Sequence, residues 1–495
     1  MGYRQARWDE KLLVELGRKG RVGFVPPPPI DGTVQVDLPE KLLREDVDLP
    51  GLSELQVVRH FVRLSQMNFS VDTGFYPLGS CTMKYNPKLN DRVASHRKVV
   101  NAHPYQPHYT LQGLLGILYE LSTMLANITG TDVVTTLPAA GAHAEFLGAL
   151  MIRKYHAVHG DAKRNEMIVP DSAHGTNPAS AQMAGFKVVN VPTDSRGLVD
   201  LEELKKLLGE RTAGIMMTVP NTLGLFEKDV MTISRLVHGA GGLMYYDGAN
   251  LNAIIGRVRP GDLGFDIVHL NIHKTFSTPH GGGGPGAGPL CVKAFLHDYL
   301  PTPLLSYDGH LYQWEHELPR SIGKVKSFWG NVGVLVKAYA YLLTLGPEGL
   351  KEVSGLSVLS SNYLLKKLDP KFFSLPYAEG IPRKHEFVVS AKPLAKTGVK
   401  ALNVAKAIID EGQHAPTVYF PLIVDEALMV EPAETEPVEE IDRFAQNLNE
   451  IGRRAGEDPE EVMKRPLFNS SGQLDDLKAS HPLSLKLHWV SPKPE

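Results

Sequence analysis

Asp247 and Lys274 are the two residues whose types and spacing point most clearly to chemistry. Each directly follows a short apolar run, Asp247 in YYDGAN and Lys274 in HLNIHKTF, and about one strand–helix–strand step separates them. Because parallel strands joined by such a step end at the same edge of a sheet, we expect the two side chains to lie close together. The sequence therefore predicts an amine held beside a carboxylate.

An amine and a carboxylate in this arrangement suit an aldehyde cofactor, pyridoxal 5'-phosphate. The Lys274 amine would condense with the aldehyde as a Schiff base, and Asp247 would keep the pyridine nitrogen protonated. The protonated ring then accepts electrons from a bond that is broken at the substrate carbon. Lys274 and Asp247 are therefore predicted catalytic residues.

The residues around this pair fit contacts with the same cofactor. Ala249 is small enough for a flat ring to lie against it, and we expect Asn250 to donate a hydrogen bond to the ring oxygen. His273 and Thr275 flank the lysine and are predicted to contact the phosphate or the ring.

Two upstream segments supply the remaining predicted contacts. In PAAGAHAEF, Gly141 and Ala142 stand immediately before a helix-like run, and bare amides at a helix N-terminus bind phosphate. In PDSAHGTNPAS, His174 follows an apolar run, and we expect its imidazole to stack on the pyridine face opposite Ala249. His174 is the third predicted catalytic residue.

The roles of several other residues stay open. His143 and His280 lie in small-residue loops that could serve backbone geometry alone. Arg383 has the fork that grips carboxylates, but we interpret it as a surface residue. Cys81 has no assigned redox role, and Cys291 is interpreted as a plain buried thiol, since two cysteines make neither a disulfide framework nor a zinc-ligand set.

Dinucleotide and metal sites are not predicted. Residues 281–286 contain G-x-G-x-x-G, but Pro285 and Pro289 prevent the helix that a dinucleotide site must open. Close backbone approach beside the lysine explains these glycines better. The histidines lack metal-ligand spacing such as H-E-x-x-H, so we predict no metal.

Short apolar runs alternating with amphipathic segments position these residues. Such alternation predicts an α/β domain built on a parallel sheet. We predict strands at 167–170, 188–191, 214–219, 243–246 and 267–270, and helices at 111–125, 201–208 and 230–240. A smaller α+β region should follow, with helices at 329–345, 350–368, 402–411 and 438–448 and strands at 386–390 and 417–422.

Length and composition bound the organisation of the chain. Its 495 residues exceed what one core usually supports. We therefore predict an extended N-terminal arm at 1–65 that contains the proline run 26–29, a large cofactor-binding α/β domain at 66–335, a small α+β domain at 336–455 and a loop-rich tail at 456–495.

With 52 basic and 55 acidic residues the net charge is −3, so no nucleic-acid or membrane partner is expected. The low cysteine content suits a cytoplasmic location.

Several of these motifs together resemble the P-protein family of the glycine cleavage system. The resemblance runs from about residue 52 to 444 and rests on YPLGSCTMKYNPKLN, PAAGAHAE, PDSAHGTNPAS, PNTLGLFE, YYDGANLNAI, HLNIHKTF, HGGGGPGAGP and HAPTVYFPLIVDEALMVEPAETE. The sequence departs from the family at His143, where many members have Gln, and at Ala433, where Thr is usual. The resemblance implies the aspartate-aminotransferase-like fold of pyridoxal-phosphate-dependent transferases (fold type I).

The resemblance also implies a reaction and its partners. Glycine would lose CO2 on the cofactor, and the aminomethyl group would pass to the lipoyl arm of H-protein. At this length, and with the lysine present, the chain is similar to the catalytic second subunit of a split two-subunit form. A non-catalytic first subunit is then implied as partner, in an α2β2 heterotetramer. The implied roles are Lys274 as Schiff-base lysine, Asp247 as ring-nitrogen partner and His174 as stacking group.

Two other functions stay open at this point. Another pyridoxal-phosphate enzyme, such as an amino-acid decarboxylase or a cysteine desulfurase, would use the same lysine, and a desulfurase also needs a mobile catalytic cysteine. A cofactor-free scaffold subunit belongs to a different class, and the presence of Lys274 argues against it.

Overall fold

The computed structural model describes residues 3–28, 38–43, 49–281 and 283–484. Parts of the predicted arm and tail, the last proline of the run 26–29 and Gly282 lie outside the described residues. The helices are α1 (Leu13–Leu16), α2 (Glu54–Gln66), α3 (Lys88–Ala94), α4 (Arg97–Val100), α5 (Gln112–Thr129), α6 (Gly141–Val158), α7 (Thr176–Met183), α8 (Leu201–Leu207), α9 (Val230–Gly239), α10 (Ile272–Thr275), α11 (Val332–Lys367), α12 (Ala401–Asp410), α13 (Val438–Glu457), α14 (Pro459–Met463) and α15 (Asp476–Ser480). The strands are β1 (Val133–Thr135), β2 (Glu166–Pro170), β3 (Lys187–Val191), β4 (Thr212–Thr218), β5 (Leu243–Gly248), β6 (Ile267–Leu270), β7 (Leu290–Val292), β8 (Leu304–Tyr307), β9 (Tyr312–Glu315), β10 (Phe387–Ser390), β11 (Thr417–Val418) and β12 (Ala427–Val430).

Seven strands form the main sheet, in the order β1-β7-β6-β5-β4-β2-β3. The five predicted strands, β2 to β6, are confirmed, and they are parallel to one another as predicted. Strand β7 runs antiparallel to both β6 and β1, so the sheet is mixed at this edge. Because β1 and β7 have three residues each, they are too short to show a periodicity in the sequence.

Helices cover both faces of this sheet. On β4, Ile215 and Met217 pack in one apolar core with α5, α9 and the start of α11, whereas Met216 packs in another with α6 and α7. Since successive side chains of a strand point to opposite faces, β4 is buried on both sides, as its unbroken apolar sequence predicts.

A second, antiparallel sheet in the order β10-β12-β11 has its own apolar core with α12, α13 and the end of α11. Helix α11 is broken at Gly346 (φ 62°), which confirms the predicted pair of helices on either side of residues 346–347. Strand β11 ends at Val418, earlier than predicted, because Tyr419 adopts φ 56° and Pro421 has no amide to donate to a ladder.

The ends of the chain differ in detail from the prediction. Helix α13 continues well past its predicted end to Glu457, where Arg453 and Arg454 both pair with Glu450 on the helix surface. The predicted loop-rich tail contains two short helices, α14 and α15. The four-part domain division stays a proposal, since its boundary at 335/336 falls inside α11. The described part of the chain contains no helix with both the length and the apolar character required to cross a membrane.

Candidate functional site

Asp247 and Lys274 lie at the ends of two neighbouring strands, as predicted. Strands β5 and β6 pair in parallel with Asp247 opposite His269, and Lys274 follows directly in α10. Asp247 is 1% exposed. A buried carboxylate and a lysine therefore lie at the same edge of the main sheet.

Three hydrogen-bond donors and the neighbouring side chains keep Asp247 ionised. Its Oδ1 accepts a hydrogen bond from the Ala249 amide (2.9 Å), and its Oδ2 accepts from Asn177 Nδ2 and Thr218 Oγ1 (both 3.1 Å). Burial alone would raise the pKa of Asp247, but the neighbouring imidazoles, the Ala249 amide and the Lys274 charge outweigh it and lower this pKa. A carboxylate held in this state is able to keep a ring nitrogen cationic.

His269 also contacts Asp247, and the sequence reasoning missed it. Its Nε2 lies 3.3 Å from Asp247 Oδ1, and the Tyr245 hydroxyl lies 2.8 Å from its Nδ1. Burial lowers the pKa of His269 to about 4, so the ring is neutral at pH 7. Asn271 Nδ2 also lies 3.3 Å from His269 Nε2, so both ring nitrogens have polar neighbours. A polar residue within the apolar run IVHL was the available signal.

Glu145 is a second missed residue, on the buried face of α6. It is 4% exposed, and Thr176 Oγ1 donates to its Oε1 at 3.0 Å. Burial, and then the charge of Asp247, raises the pKa of Glu145 to about 8. Glu145 is therefore protonated at pH 7, and the site contains one charged and one neutral carboxyl.

His174 lies between β2 and α7 at the same edge. Its Nδ1 is 2.9 Å from Thr176 Oγ1, and its ring centre is 5.5 Å from that of Phe420. Burial and the Lys274 charge lower the pKa of His174. The imidazole is thus neutral at pH 7, which suits the predicted stacking, and that stacking stays a prediction.

Gly141 and Ala142 begin α6, as predicted. In the described part of the chain no side chain caps this 18-residue helix, and the first amides of a helix have no partner within it. A Cβ on Gly141 would lie 2.0 Å from Oδ1 of Asn271, the residue before α10. The helix terminus therefore touches the lysine segment. His143 uses its Nδ1 to accept from the Ala139 amide (3.2 Å), which is a backbone role.

The residues beside the lysine present unpaired polar atoms. His273 Nδ1 and Thr275 Oγ1 are buried without a hydrogen-bond partner among the described residues. Burial and the Lys274 charge lower the pKa of His273 to about 3. His280 packs edge-on against the His273 ring, with 4.9 Å between ring centres. A Cβ on Gly286 would lie 2.7 Å from His273 Nδ1. The predicted close approach of the glycine loop beside the lysine is confirmed at Gly286.

Ala249 and Asn250 follow β5 and are both buried. The Asn250 amide nitrogen donates to Pro220 O (3.0 Å) and to Glu386 Oε1 (3.2 Å). Since an amide has two N–H groups, both donors are already used within the chain. The predicted hydrogen bond to a ring oxygen would replace one of these contacts, and it stays a prediction.

The interpretation of Arg383 as a surface residue is wrong. Arg383 is 1% exposed, and its guanidinium donates to the carbonyls of Ala378 and Ile381 (both 3.2 Å) and of Tyr377. Burial lowers its pKa to about 10. The polar string PRKHEF gave no sign that the loop before β10 folds over this side chain. Backbone carbonyls occupy both terminal nitrogens, whereas Nε has no hydrogen-bond partner among the described residues, so the terminal nitrogens are not free to clamp a carboxylate.

The two cysteines are both protonated thiols. Cys291 on β7 is fully buried, which confirms the interpretation as a plain buried thiol, and burial raises its pKa to about 12. Burial also raises the pKa of Cys81, against the opposing effect of the Lys274 charge. Neither thiol has the lowered pKa that a nucleophilic cysteine needs.

Two groups in the described part of the chain bring three potential ligand atoms within 4.8 Å of one another, namely Glu145–Asp247–His269 and His385–Glu386–Glu431. Each contains a carboxyl whose pKa burial raises, and a protonated carboxyl is a poor metal ligand. The absence of a metal site stays a prediction.

Comparisons with known proteins identify the family of the chain. Residues 28–308 match the family model described as "Glycine cleavage system P-protein", and residues 353–465 match "Glycine dehydrogenase, C-terminal domain". The "Probable glycine dehydrogenase (decarboxylating) subunit 2" of Pyrococcus furiosus is 56% identical over 97% of this chain and 96% of its own.

Solved structures share the fold. An inhibitor-bound glycine decarboxylase (P-protein) aligns with a TM-score of 0.71 at 23% identity, over 83% of this chain and 93% of that one. The apo cysteine desulfurase of Thermococcus onnurineus NA1 aligns at 0.61 and 15% identity, over 77% of this chain and 95% of that one. The predicted fold class, an aspartate-aminotransferase-like α/β fold, is therefore confirmed. The family model covers more than half of the chain and the relative nearly all of it, and on that ground the chain belongs to the glycine cleavage system P-protein family.

Proposed function

We propose that this chain decarboxylates glycine with pyridoxal 5'-phosphate and transfers the aminomethyl group to the lipoyl arm of H-protein. The observation that carries the proposal is the buried, ionised Asp247 beside Lys274 at neighbouring strand ends of a P-protein family member. No observation on the cysteines favours a desulfurase.

The residues at this edge fit pyridoxal phosphate. The uncapped N-terminus of α6, at Gly141 and Ala142, suits the phosphate. The unpaired His273 Nδ1 and Thr275 Oγ1 are buried polar atoms that need a partner, and a phosphate or ring oxygen would supply one to Thr275. Ala249 offers a small side chain against which a ring can lie.

When bound, the cofactor supplies an electron-accepting pyridinium that stabilises the charge left as CO2 departs. Lys274 would hold the cofactor through its amine, and Asp247 would keep the ring nitrogen protonated. His174 and Ala249 would contact the ring. Asn250 would orient the ring by a hydrogen bond that replaces one of its present contacts, to Pro220 O or Glu386.

We also propose two protein partners. The Pyrococcus furiosus relative is called subunit 2, which supports a non-catalytic first subunit as the partner of this chain, in an α2β2 assembly. Lipoylated H-protein delivers the disulfide that accepts the aminomethyl group. In this proposal the present chain holds the cofactor, and H-protein carries the aminomethyl group away.

Borohydride reduction followed by peptide mapping tests the cofactor assignment, and Lys274 is the expected site of modification. Exchange of labelled CO2 into glycine, with H-protein and the first subunit present, tests the reaction. Lys274→Ala should abolish both the visible absorbance band and the exchange, whereas Lys351→Ala, at an exposed lysine, should retain both. Normal exchange in Lys274→Ala would refute the proposal.

A further inference from the structure

The side chain of Asn331, at the start of α11, joins two segments of the cofactor site. Its Nδ2 donates to the carbonyl of Ala139 (3.3 Å), in the turn at residues 138–140 before α6, and to that of Gly286 (2.6 Å), in the glycine loop at residues 283–288. The turn leads into the proposed phosphate site, and the glycine loop packs beside His273. One half-buried side chain therefore contacts both segments.

The orientation of the Asn331 amide follows from its neighbours. Lys326 Nζ lies 3.1 Å from Asn331 Oδ1, and an ammonium can only donate a hydrogen bond, whereas a backbone carbonyl can only accept one. The reversed amide would place donor against donor and acceptor against acceptor. Oδ1 therefore faces Lys326, and both N–H groups of Nδ2 are used by the two carbonyls.

Asn331 does not perform the task that its position in α11 would suggest. Asparagine is favoured at the N-cap of a helix because its side-chain oxygen accepts from one of the first amides. Among the described residues, no side chain caps α11. The oxygen of Asn331 accepts from Lys326 instead, so this side chain serves the contacts with the turn and the glycine loop rather than its own helix.

Two glycines allow the three segments to approach one another. A Cβ on Gly330 (φ 89°) would lie 2.5 Å from the Thr136 carbonyl oxygen, and a Cβ on Gly288 would lie 2.2 Å from the Ala140 carbonyl oxygen. The Gly288 amide also donates to Pro138 O (3.1 Å). Any side chain at either glycine would push the segments apart, so backbone packs directly on backbone around the Asn331 amide.

Side chains hold both backbone polar groups of Ala139. The Ala139 amide donates to His143 Nδ1 (3.2 Å), and the Ala139 carbonyl accepts from Asn331. His143 belongs to α6 itself, whereas Asn331 belongs to α11. Because α6 begins only two residues after Ala139, these contacts fix the direction in which the unpaired first amides of α6 point.

We propose that Asn331 is a positioning residue for the cofactor phosphate. It holds the turn before α6 against the glycine loop, so that the amides at Gly141 and Ala142 converge on one anion. Asn331 acts through the backbone of Ala139 and not on the reacting atoms. The proposal deepens the proposed function and rests on pyridoxal phosphate being the cofactor.

Paired affinities for pyridoxal phosphate and pyridoxal test this role, because the two compounds differ only in the phosphate. In cofactor-free Asn331→Leu, the dissociation constant of pyridoxal phosphate should rise about tenfold or more, whereas that of pyridoxal should change by less than about threefold, since two hydrogen bonds that shape the phosphate site are lost. Inorganic phosphate, measured as a competitor of pyridoxal phosphate, should also bind more weakly. A role in the fold alone would not separate the two compounds.

Asn362→Leu is the matched control. Asn362 is also half-buried, and its Nδ2 donates to the carbonyls of Val358 and Arg383 (both 2.7 Å), which lie outside the turn and the glycine loop. This variant should keep both native affinities. Urea unfolding shows whether each variant is folded. Asn331→Asp retains the size of the side chain and an oxygen for Lys326 but cannot donate, so it should show the same selective loss if Asn331→Leu does not fold.

Equal weakening for pyridoxal phosphate and pyridoxal, or native affinity for both in a folded Asn331 variant, would overturn the proposal. Failure of the proposed function itself looks different. The native chain would then bind no pyridoxal phosphate, or borohydride would mark a lysine other than Lys274.

Discussion

At the scale of single residues, the site depends on two buried carboxyls in opposite protonation states. Asp247 is ionised because the neighbouring imidazoles, its hydrogen-bond donors and the Lys274 charge outweigh burial. Glu145 lacks such support, and its pKa rises to about 8. This difference assigns a charge role to Asp247 and a neutral, hydrogen-bonding role to Glu145.

Isosteric amides separate these two roles. Asp247→Asn should reduce labelled CO2 exchange by about 10²–10³-fold, since a fixed charge at the reacting group is removed. Glu145→Gln should change it by less than about threefold at pH 7, because the amide replaces a carboxyl that is already neutral. Above about pH 8 Glu145 ionises and its amide variant does not, so the native chain and Glu145→Gln should diverge there. A loss from Glu145→Gln as large as that from Asp247→Asn, at pH 7, contradicts the assignment.

The sequence predicted the Asp247–Lys274 pair because one crossover separates the residues and parallel strands end together. It gave only a weak signal for His269, a polar residue inside an apolar run, and none for Glu145, which lies in a small-residue run at the start of a helix. Arg383 shows the opposite failure. A polar string predicts exposure, but tertiary packing of backbone carbonyls around the guanidinium buries it completely.

At the scale of elements, the residues 76–90 join the two sheets and support the lysine segment. Leu78 forms a bridge with Val430 of β12. Lys84 is 2% exposed, and its Nζ donates to the Thr275 carbonyl of α10 (2.8 Å) and to Tyr341 of α11 (3.2 Å). Lys84 also pairs with Glu434, so one side chain ties α10, α11 and the segment after β12 together.

Removing this ammonium should destabilise the fold. Lys84→Met leaves Glu434 buried without its cation, which should cost about 3–5 kcal/mol in the free energy of unfolding. The double variant Lys84→Met/Glu434→Gln should recover part of this loss, because no unpaired charge then remains. Urea denaturation monitored by circular dichroism measures both. If the native chain and Lys84→Met are equally stable, the Lys84–Glu434 pair contributes nothing to the free energy of unfolding.

The elements and the parallel direction of β2 to β6 were largely predictable, whereas the antiparallel direction of β7 was not. Strands β2 to β6 are continuous apolar runs, and burial on both faces is what makes such a run recognisable. The antiparallel β7 looks the same in sequence as a parallel strand, since periodicity carries no information on direction. The break at Gly346 was predictable because a glycine followed by proline ends a helix by local geometry alone.

At the scale of the whole molecule, the buried acids connect the site to global stability. Besides Glu145, burial and then the charge of Glu440 raise the pKa of Glu436 to about 7. In the unfolded chain these carboxyls ionise near pH 4.5. Between the two values the folded chain binds more protons than the unfolded chain, so its free energy of unfolding falls as pH rises.

We therefore expect the cofactor-free chain to lose stability between pH 5 and pH 8, in urea denaturation at constant ionic strength. Glu436→Gln has no carboxyl to ionise, so it should flatten this decline by about 1 kcal/mol, a value reduced for the partial exposure of the side chain. Glu210→Gln removes an exposed carboxyl whose pKa Lys163 lowers, so its linkage lies below pH 4.5 and the slope above pH 5 should be unchanged. If Glu436→Gln follows the native curve, Glu436 does not retain a proton in the folded state. The loss of stability with rising pH must then originate in the acids around Lys274.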